Sequence, residues 1–310
     1  MKLRNASLLD FSRIEQIHRE AEARFSTVPP PARLWALVSQ TLSALLPLSQ
    51  ETLLYVAEDG GRVVGFVQAW GKPLALRLPA KATALQILNL CVANDADERE
   101  VAPRLVEHLC EQAGRNGVNR LFVRLPLDDE LLPIFRVEGF RQYATESVLY
   151  GEKPEPRSTT VAFGLRPVRG KDAHLIYHLY RKVTPLGVAQ LEAPTYKDWR
   201  AMRPDPGHQE LVDRVEVVGW LGVERSSQGR PHTLAFMALP EDGLAGELAD
   251  RALAVSEAGP AWSSLRHYDS HMIDALRGRG FTLLLTQALL VRELVVRVPL
   301  PEKGLVPSFG

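Results

Sequence analysis

Only two cysteines occur among the 310 residues, Cys91 and Cys110. Two thiols cannot build the disulfide framework of a small secreted domain, so a reducing compartment is expected. Net charge is missing too: 37 basic residues balance 37 acidic ones. Without a basic excess there is no electrostatic footprint for nucleic acid, and no polybasic stretch marks a membrane surface. No apolar run reaches the ~20 residues that a spanning helix needs. The opening stretch, Met1 to Phe11, has neither an apolar core nor a small-residue cleavage site, so no export signal is expected. The chain also lacks a Walker-type phosphate loop, a Gly-x-Ser-x-Gly elbow and a metalloprotease helix. These absences predict a cytoplasmic protein that binds neither nucleic acid nor membrane and holds no metal.

The composition that remains is that of an ordinary globular protein, with 45% hydrophobic and 24% charged residues. At this length two domains are expected, each able to bury a core. The spacing predicts a short strand at Leu3-Arg4, then an amphipathic helix carrying Leu8, Phe11, Ile14, Ile17 and Ala21. Pro29-Pro30-Pro31 interrupts the chain, and a second helix is expected over Leu34 to Leu46. Strands Thr52–Ala57 and Arg62–Trp70 are joined by Glu58-Asp59-Gly60-Gly61, a hairpin signal. Further elements follow: a strand over Leu85 to Val92, a helix over Glu98 to Ala113 ended by Gly114 or Gly117, a strand Leu121–Leu125, a short helix Leu131 to Val137 stopped at Gly139, and a strand Gln142 to Tyr150. Glu152 to Thr160, with Pro154 and Pro156, reads as an exposed linker.

The order then repeats. Leu165-Arg166 matches Leu3-Arg4, Asp172 matches Asp10, and Ile176 and Leu179 take the places of Ile14 and Ile17. Val217-Val218-Gly219-Trp220 echoes Val63-Val64-Gly65-Phe66, and Gly280-Phe281 echoes Gly139-Phe140. Between them come a strand Thr233–Leu239, a helix Leu244–Ala258 and a strand Trp262–Tyr268. Several matches in one order indicate an internal duplication. The expected layout is a domain over residues 1–151, a linker over 152–160, a second domain over 161–298 and an extended tail over 299–310. The long apolar run Leu289 to Leu300 predicts a strand buried by a domain or subunit contact, with the two domains meeting through closing strands such as Leu285–Val298.

This order, with its Val-Val-Gly-aromatic strand and its Gly-Phe after the last helix, resembles the GNAT superfamily of acyl-CoA-dependent N-acyltransferases, once per half. The resemblance implies an α/β (α+β) fold of two tandem GNAT-like domains. Each would have a mixed, mostly antiparallel central sheet flanked by helices. The cofactor it implies is acetyl-CoA or CoA.

The family seats pyrophosphate on a Gly-rich turn at a helix N-terminus, where bare N–H groups face phosphate oxygens. The matching stretch in the first half is Asp97-Glu98-Arg99-Glu100-Val101-Ala102, which sets carboxylates where phosphate would sit. The same acids also suit a helix first turn with no ligand at all. In the second half the stretch is Pro240-Glu241-Asp242-Gly243-Leu244-Ala245-Gly246. Gly243, Ala245 and Gly246 fit the small positions and are the candidate phosphate cradle, although a tight turn opening a helix accounts for them equally. The resemblance further implies an opening between two strands for the pantetheine arm, lined by Leu90, Cys91 and Val92 in the first half and by Ala238 and Leu239 in the second. The family's general-acid Tyr is replaced by Phe135 and Leu276, and its helix-start Asn by Asp128 and Asp269.

His267, Tyr268 and His271 flank Asp269 near the top of the second opening, and they are the candidate proton-handling residues. Polar residues of a strand-to-helix loop look the same. His174 and His178 share one helix face with no third metal ligand in reach, which suits packing better than metal. Two functions stay open: an acyltransferase that uses the second half, with the first half structural or substrate-binding, or a non-catalytic scaffold that binds a small molecule or a protein. The partners expected are a small-molecule amine or a protein, with a homodimer as one form of assembly.

Overall fold

The computed structural model describes residues 1–24, 52–71, 82–157, 164–203, 206–226, 231–240, 243–257 and 259–294. The expected helix over Leu34 to Leu46 and the tail over 299–310 lie outside the described residues. The first half runs β1 (Lys2–Asn5), α1 (Phe11–Arg24), β2 (Thr52–Asp59), β3 (Arg62–Trp70), β4 (Ala84–Val92), α2 (Glu98–Arg115), β5 (Arg120–Pro126), α3 (Leu132–Val137) and β6 (Arg141–Gly151). The second runs β7 (Leu165–Pro167), α4 (Ala173–Val183), α5 (Leu186–Glu192), α6 (Tyr196–Met202), β8 (His208–Asp213), β9 (Val217–Glu224), β10 (His232–Ala238), α7 (Leu244–Ser256), β11 (Ala261–Arg266), α8 (Ser270–Arg277) and β12 (Thr282–Glu293).

The repeated residues recur because the fold needs them locally. Gly60 and Gly61 both take positive φ, 54° and 80°, as a two-residue hairpin of this twist demands. Gly65 and Gly219 let a helix lie close on the sheet. A Cβ at Gly65 would come within 2.9 Å of Val101 Cγ1, and one at Gly219 within 3.2 Å of Leu248 Cδ1. Gly139 and Gly280 close α3 and α8, and the next amides, of Phe140 and Phe281, donate back to the carbonyls of Phe135 and Leu276. Two expected boundaries move. α2 runs through Gly114, and the positive φ falls at Gly117 instead. β11 ends at Arg266, where the Asp269 amide donates to the Arg266 carbonyl and turns the chain, so His267 and Tyr268 leave the strand.

The repeated Arg and Asp form matching ion clusters. Arg4 holds Asp10 through both terminal nitrogens, at 2.7 and 2.8 Å, and reaches Glu58 through Nε at 2.7 Å. Arg166 holds Asp172 at 2.7 and 3.1 Å and reaches Asp213 at 2.8 Å. The arginine hydrogen bonds push both Asp10 and Asp172 below the ordinary carboxylate range. A carboxylate with a folded pKa below its unfolded one stabilises fully above the unfolded value and loses that contribution as pH falls through the folded one. Unfolding followed from pH 5 to 2 is therefore expected to show a fall in stability that Asp10→Asn or Asp172→Asn each reduces, by on the order of 1 kcal/mol after solvent screening. An unchanged slope in either variant counts against the assignment.

The class is mixed α/β with a mostly antiparallel sheet, but the two expected sheets are one. Twelve strands run in the order β1-β2-β3-β4-β5-β12-β6-β11-β10-β9-β8-β7. Each half has given its last strand to the other. β12 pairs with β5 over Gln287–Glu293 and Arg120–Pro126, while β6 pairs with β11 over Glu146–Gly151 and Ala261–Arg266. Within the described residues, Leu289 to Val291 of the apolar run are thus buried against the first half, and the rest of that run beyond Leu294 lies outside them. Ala288 and Leu290 pack into the core beneath α2, and Leu149 packs into the core beneath α7. Helices α2, α3, α7 and α8 cover one sheet face; α1 and α4 to α6 cover the other. Of the linker, Arg157 is tied down, its amide donating to Asp250 Oδ1 at 2.7 Å.

Candidate functional site

Two openings interrupt the sheet. Parallel strands β4 and β5 pair only over Ala84–Gln86 and Arg120–Phe122, and β10 and β11 only over His232–Thr233 and Ala261–Trp262. Beyond those pairs each couple separates. The Leu90, Cys91 and Val92 side chains leave the first opening for opposite faces: Leu90 and Val92 enter the core under α2, and Cys91 packs on the side of α1. Leu88 is an extra residue of β4, because Gln68 faces Asn89 while Ala69 faces Ile87.

The helix termini at the two openings differ. On α2 the Asp97 carboxylate accepts from the Arg99 amide at 2.9 Å, and Glu98 and Glu100 fill the first turn. The Arg99 amide is taken by the Asp97 carboxylate and the Glu100 amide by the Asp97 carbonyl, while Glu98 and Glu100 add negative charge, so this end does not fit a pyrophosphate. An open cleft of about 570 Å³ beside it, between α2 and α3, is edged by Glu98, Arg99 and Glu130 over Pro103, Pro133, Ile134 and Val137. On α7, Gly243 sits at the N-cap with φ 79° and no side-chain cap, and Glu247 is the acid of the first turn. A Cβ at Gly243 would meet nothing within 4 Å. The amides of Leu244, Ala245 and Gly246 precede the first helical bond, from Glu247 to the Gly243 carbonyl. Among the described residues no side chain caps these amides. Gly246 also has a packing role, since its carbonyl accepts from Arg279 Nη2 at 2.8 Å. Glu241 and Asp242 lie outside the described residues.

The candidate proton-handling residues face three different environments. His267 is exposed, with its amide and Nδ1 on the Thr145 carbonyl of β6, at 3.1 and 3.4 Å. Tyr268 turns to the α4–α5 face and packs with Ala144, Val188 and Leu289, and burial raises its phenol above the ordinary value. His271 reaches the second opening, with Nε2 3.2 Å from the Ala238 carbonyl, a contact that calls for the Nε2–H tautomer. The Leu239 amide points the other way, to the Val218 carbonyl at 3.0 Å. Strand alternation therefore leaves Ala238 as the backbone group that faces the opening. Phe135 and Leu276, at the general-acid position, are fully buried. His174 stacks on Tyr196 at 3.9 Å, a packing role.

Sequence reasoning missed the polar centre. Glu192, at the end of α5, accepts from Arg266 Nη2 at 2.6 Å and from the hydroxyls of Tyr143 and Tyr180 at 2.7 and 3.4 Å. Arg266 Nη1 lies 3.7 Å from Glu146, which also faces Arg124 Nε at 3.2 Å. Burial works against the Arg266 charge, but Glu192 and Glu146 outweigh it and hold the guanidinium protonated. A bulge in β6 at Tyr143 turns that ring onto this face, edge-on to Phe122 at 5.9 Å. Among the described residues two buried side-chain atoms lack a hydrogen-bond partner, Ser263 Oγ and Arg266 Nη1, and both belong to β11 beside the second opening. Asp269, just beyond, is pushed up to about 6 by burial. Chain order hides all of this, since Tyr143, Glu192 and Arg266 meet only because β6 lies against β11.

A splayed sheet with a helix N-terminus at the mouth of each opening is the architecture of the GNAT fold, present here twice. Residues 14–136 match the family described as acetyltransferase (GNAT) family. Solved structures resemble nearly the whole chain. A tandem GNAT protein from the clavulanic acid biosynthesis pathway is 15% identical, with 94% of this chain and 98% of that one covered and a TM-score of 0.58. A GCN5-related N-acetyltransferase from Sphaerobacter thermophilus is 14% identical, with 96% and 97% covered and a TM-score of 0.60. A GCN5-related glucosamine N-acetyltransferase region of a fungal multi-domain GH3 beta-N-acetylglucosaminidase is 13% identical, with 94% and 38% covered and a TM-score of 0.64. At such identities the likeness establishes fold. No curated protein matches the chain. The chain has the fold of tandem GNAT proteins, and its family match, over residues 14–136, falls on the half whose helix terminus is acidic. Among the described residues no helix is long and apolar enough to cross a membrane.

Proposed function

We propose that the chain transfers an acyl group from acetyl-CoA, or a longer acyl-CoA, to an amine at the second opening. The observation that carries this reading is the contrast between the bare N-terminus of α7 and the acid-capped N-terminus of α2. CoA, when bound, supplies the activated thioester. The amides of Leu244, Ala245 and Gly246 would hold phosphate oxygens, with Gly243 leaving room for the approach. Ala238 presents its backbone to the acyl carbonyl. His271, once released from the Ala238 carbonyl and shifted to its Nδ1–H tautomer, would accept the proton of the incoming amine at Nε2. Tyr268, kept neutral by burial, suits a hydrogen bond better than proton delivery, and the exposed His267 would exchange protons with solvent. The setting is the cytoplasm, where Cys91 and Cys110 stay reduced.

A second reading is supported by the loss of the acid in both halves, where Phe135 and Leu276 have become core. Under it the protein is a non-catalytic scaffold for a small molecule or a protein partner. Calorimetric titration with acetyl-CoA and with free CoA separates the two. The expected result is one site per chain, abolished by Gly243→Glu and unaffected by Glu100→Gly. Gly243→Ala carries the same backbone cost at φ 79°, so the gap between Ala and Glu reads charge and bulk alone. Absence of heat at millimolar ligand would leave the scaffold reading.

A further inference from the structure

The first opening has lost its phosphate end but keeps a polar wall on each side. On the β4 side, next to the bulge at Leu88, Asn89 Nδ2 donates to Gln68 Oε1 at 2.7 Å, and both side chains are nearly buried. That bond leaves Asn89 Oδ1 as an acceptor and Gln68 Nε2 as a donor. On the β5 side stands Arg124, two residues beyond the last β4–β5 pair and on the same sheet face as Gln68 and Asn89. Its Nε forms an ion pair with Glu146 at 3.2 Å, and the side chain stays 45% exposed. Among the described residues its two terminal nitrogens make no hydrogen bond. A guanidinium ion-paired on its Nε side and exposed at its outer edge can offer two parallel hydrogen bonds to a carboxylate. Phe122 and Tyr143, edge to face, lie beside it.

We propose that this face of the first opening binds a small zwitterion, a free α-amino acid, with its carboxylate on Arg124 and its amine on Asn89 Oδ1. The site works without acyl-CoA, because the α2 terminus beside it carries Asp97, Glu98 and Glu100. It is thus independent of any cofactor on the second half. The first half then serves as a ligand-holding or ligand-sensing unit joined to the second half through Glu146, which also faces Arg266.

The test uses the full chain with no CoA present. The twenty amino acids are screened one at a time at 10 mM, as a round working concentration of about that order, by thermal shift, and any hit is titrated by calorimetry beside its carboxamide. At least one amino acid is expected to bind, with its carboxamide weaker by tenfold or more. Arg124→Lys keeps the charge facing Glu146 but removes the fork, so it should weaken binding by tenfold or more with an unchanged melting temperature. Asn89→Asp should retain the amine partner and retain binding. If no amino acid binds, if the carboxamide binds as well as the acid, or if Arg124→Lys binds as the parent does, the proposal is overturned. Each of these outcomes is read separately from CoA binding.

Discussion

Arg279→Met is expected to destabilise the protein by about 3–5 kcal/mol, the range for removing one partner of a buried ion pair. Arg279 and Asp250 are both nearly buried. Arg279 Nε and Nη2 bond the two carboxylate oxygens at 2.6 and 2.7 Å, Nη2 also bonds the Gly246 carbonyl, and Nη1 bonds the Ala275 carbonyl at 2.7 Å. One guanidinium thereby ties α7, α8 and the start of the linker together, since Asp250 also accepts the Arg157 amide. Methionine fills comparable volume but leaves the Asp250 carboxylate buried without its counter-charge. The double variant Arg279→Met, Asp250→Leu removes both charges and should recover a good part of the loss, short of full recovery because the Arg157 amide is then orphaned. Chemical denaturation of the parent, both single variants and the double variant measures the coupling directly. Because Arg279 anchors Gly246, the single variant should also weaken the CoA binding proposed for the α7 terminus. Retained stability in Arg279→Met would show that the pair contributes little.

How far the chain could be read from its sequence follows from the range of each interaction. Gly65 and Gly219, Gly139 and Gly280, and the Arg4–Asp10 and Arg166–Asp172 pairs all obey local rules, so the duplication and the fold stood out. The same locality exposed the acids of α2 and the bare Gly243 of α7. The centre did not stand out. Glu192 meets Tyr143 and Arg266 across 49 and 74 residues, and each reads as an ordinary residue of its own element. Arg279 likewise reads as the basic end of a helix until Asp250 is placed 29 residues away. The segment from Ala173 to Met202 showed only its first helix. The two short helices after it, Leu186–Glu192 and Tyr196–Met202, are held by contacts to the first half, where Arg120 bonds the Leu191 carbonyl at 2.5 Å and faces Asp198 at 3.6 Å.

A chain cut after Arg157 is expected not to fold as a cooperative monomer. β6 pairs only with β12 and β11, and both come from the second half. β5 loses its seven-residue ladder with Gln287–Glu293 and becomes an edge carrying Leu121, Val123 and Leu125. Its core loses Ala288 and Leu290. A bare apolar edge beside an unpartnered strand is a template for association. The duplication specifies which association is favoured. β6 and β12 hold equivalent places, so two copies of the first half can each supply β6 where the other lacks β12, closing the sheet by a two-fold exchange. Residues 1–157 expressed alone should therefore run as a dimer or as larger aggregates. Expressed with residues 158–310 they should form a one-to-one complex with the circular dichroism of the intact chain. Sedimentation and thermal unfolding distinguish these states. A monomeric first half that unfolds cooperatively would show that β6 can fold back on β5 within one copy, and that the exchange is incidental to stability.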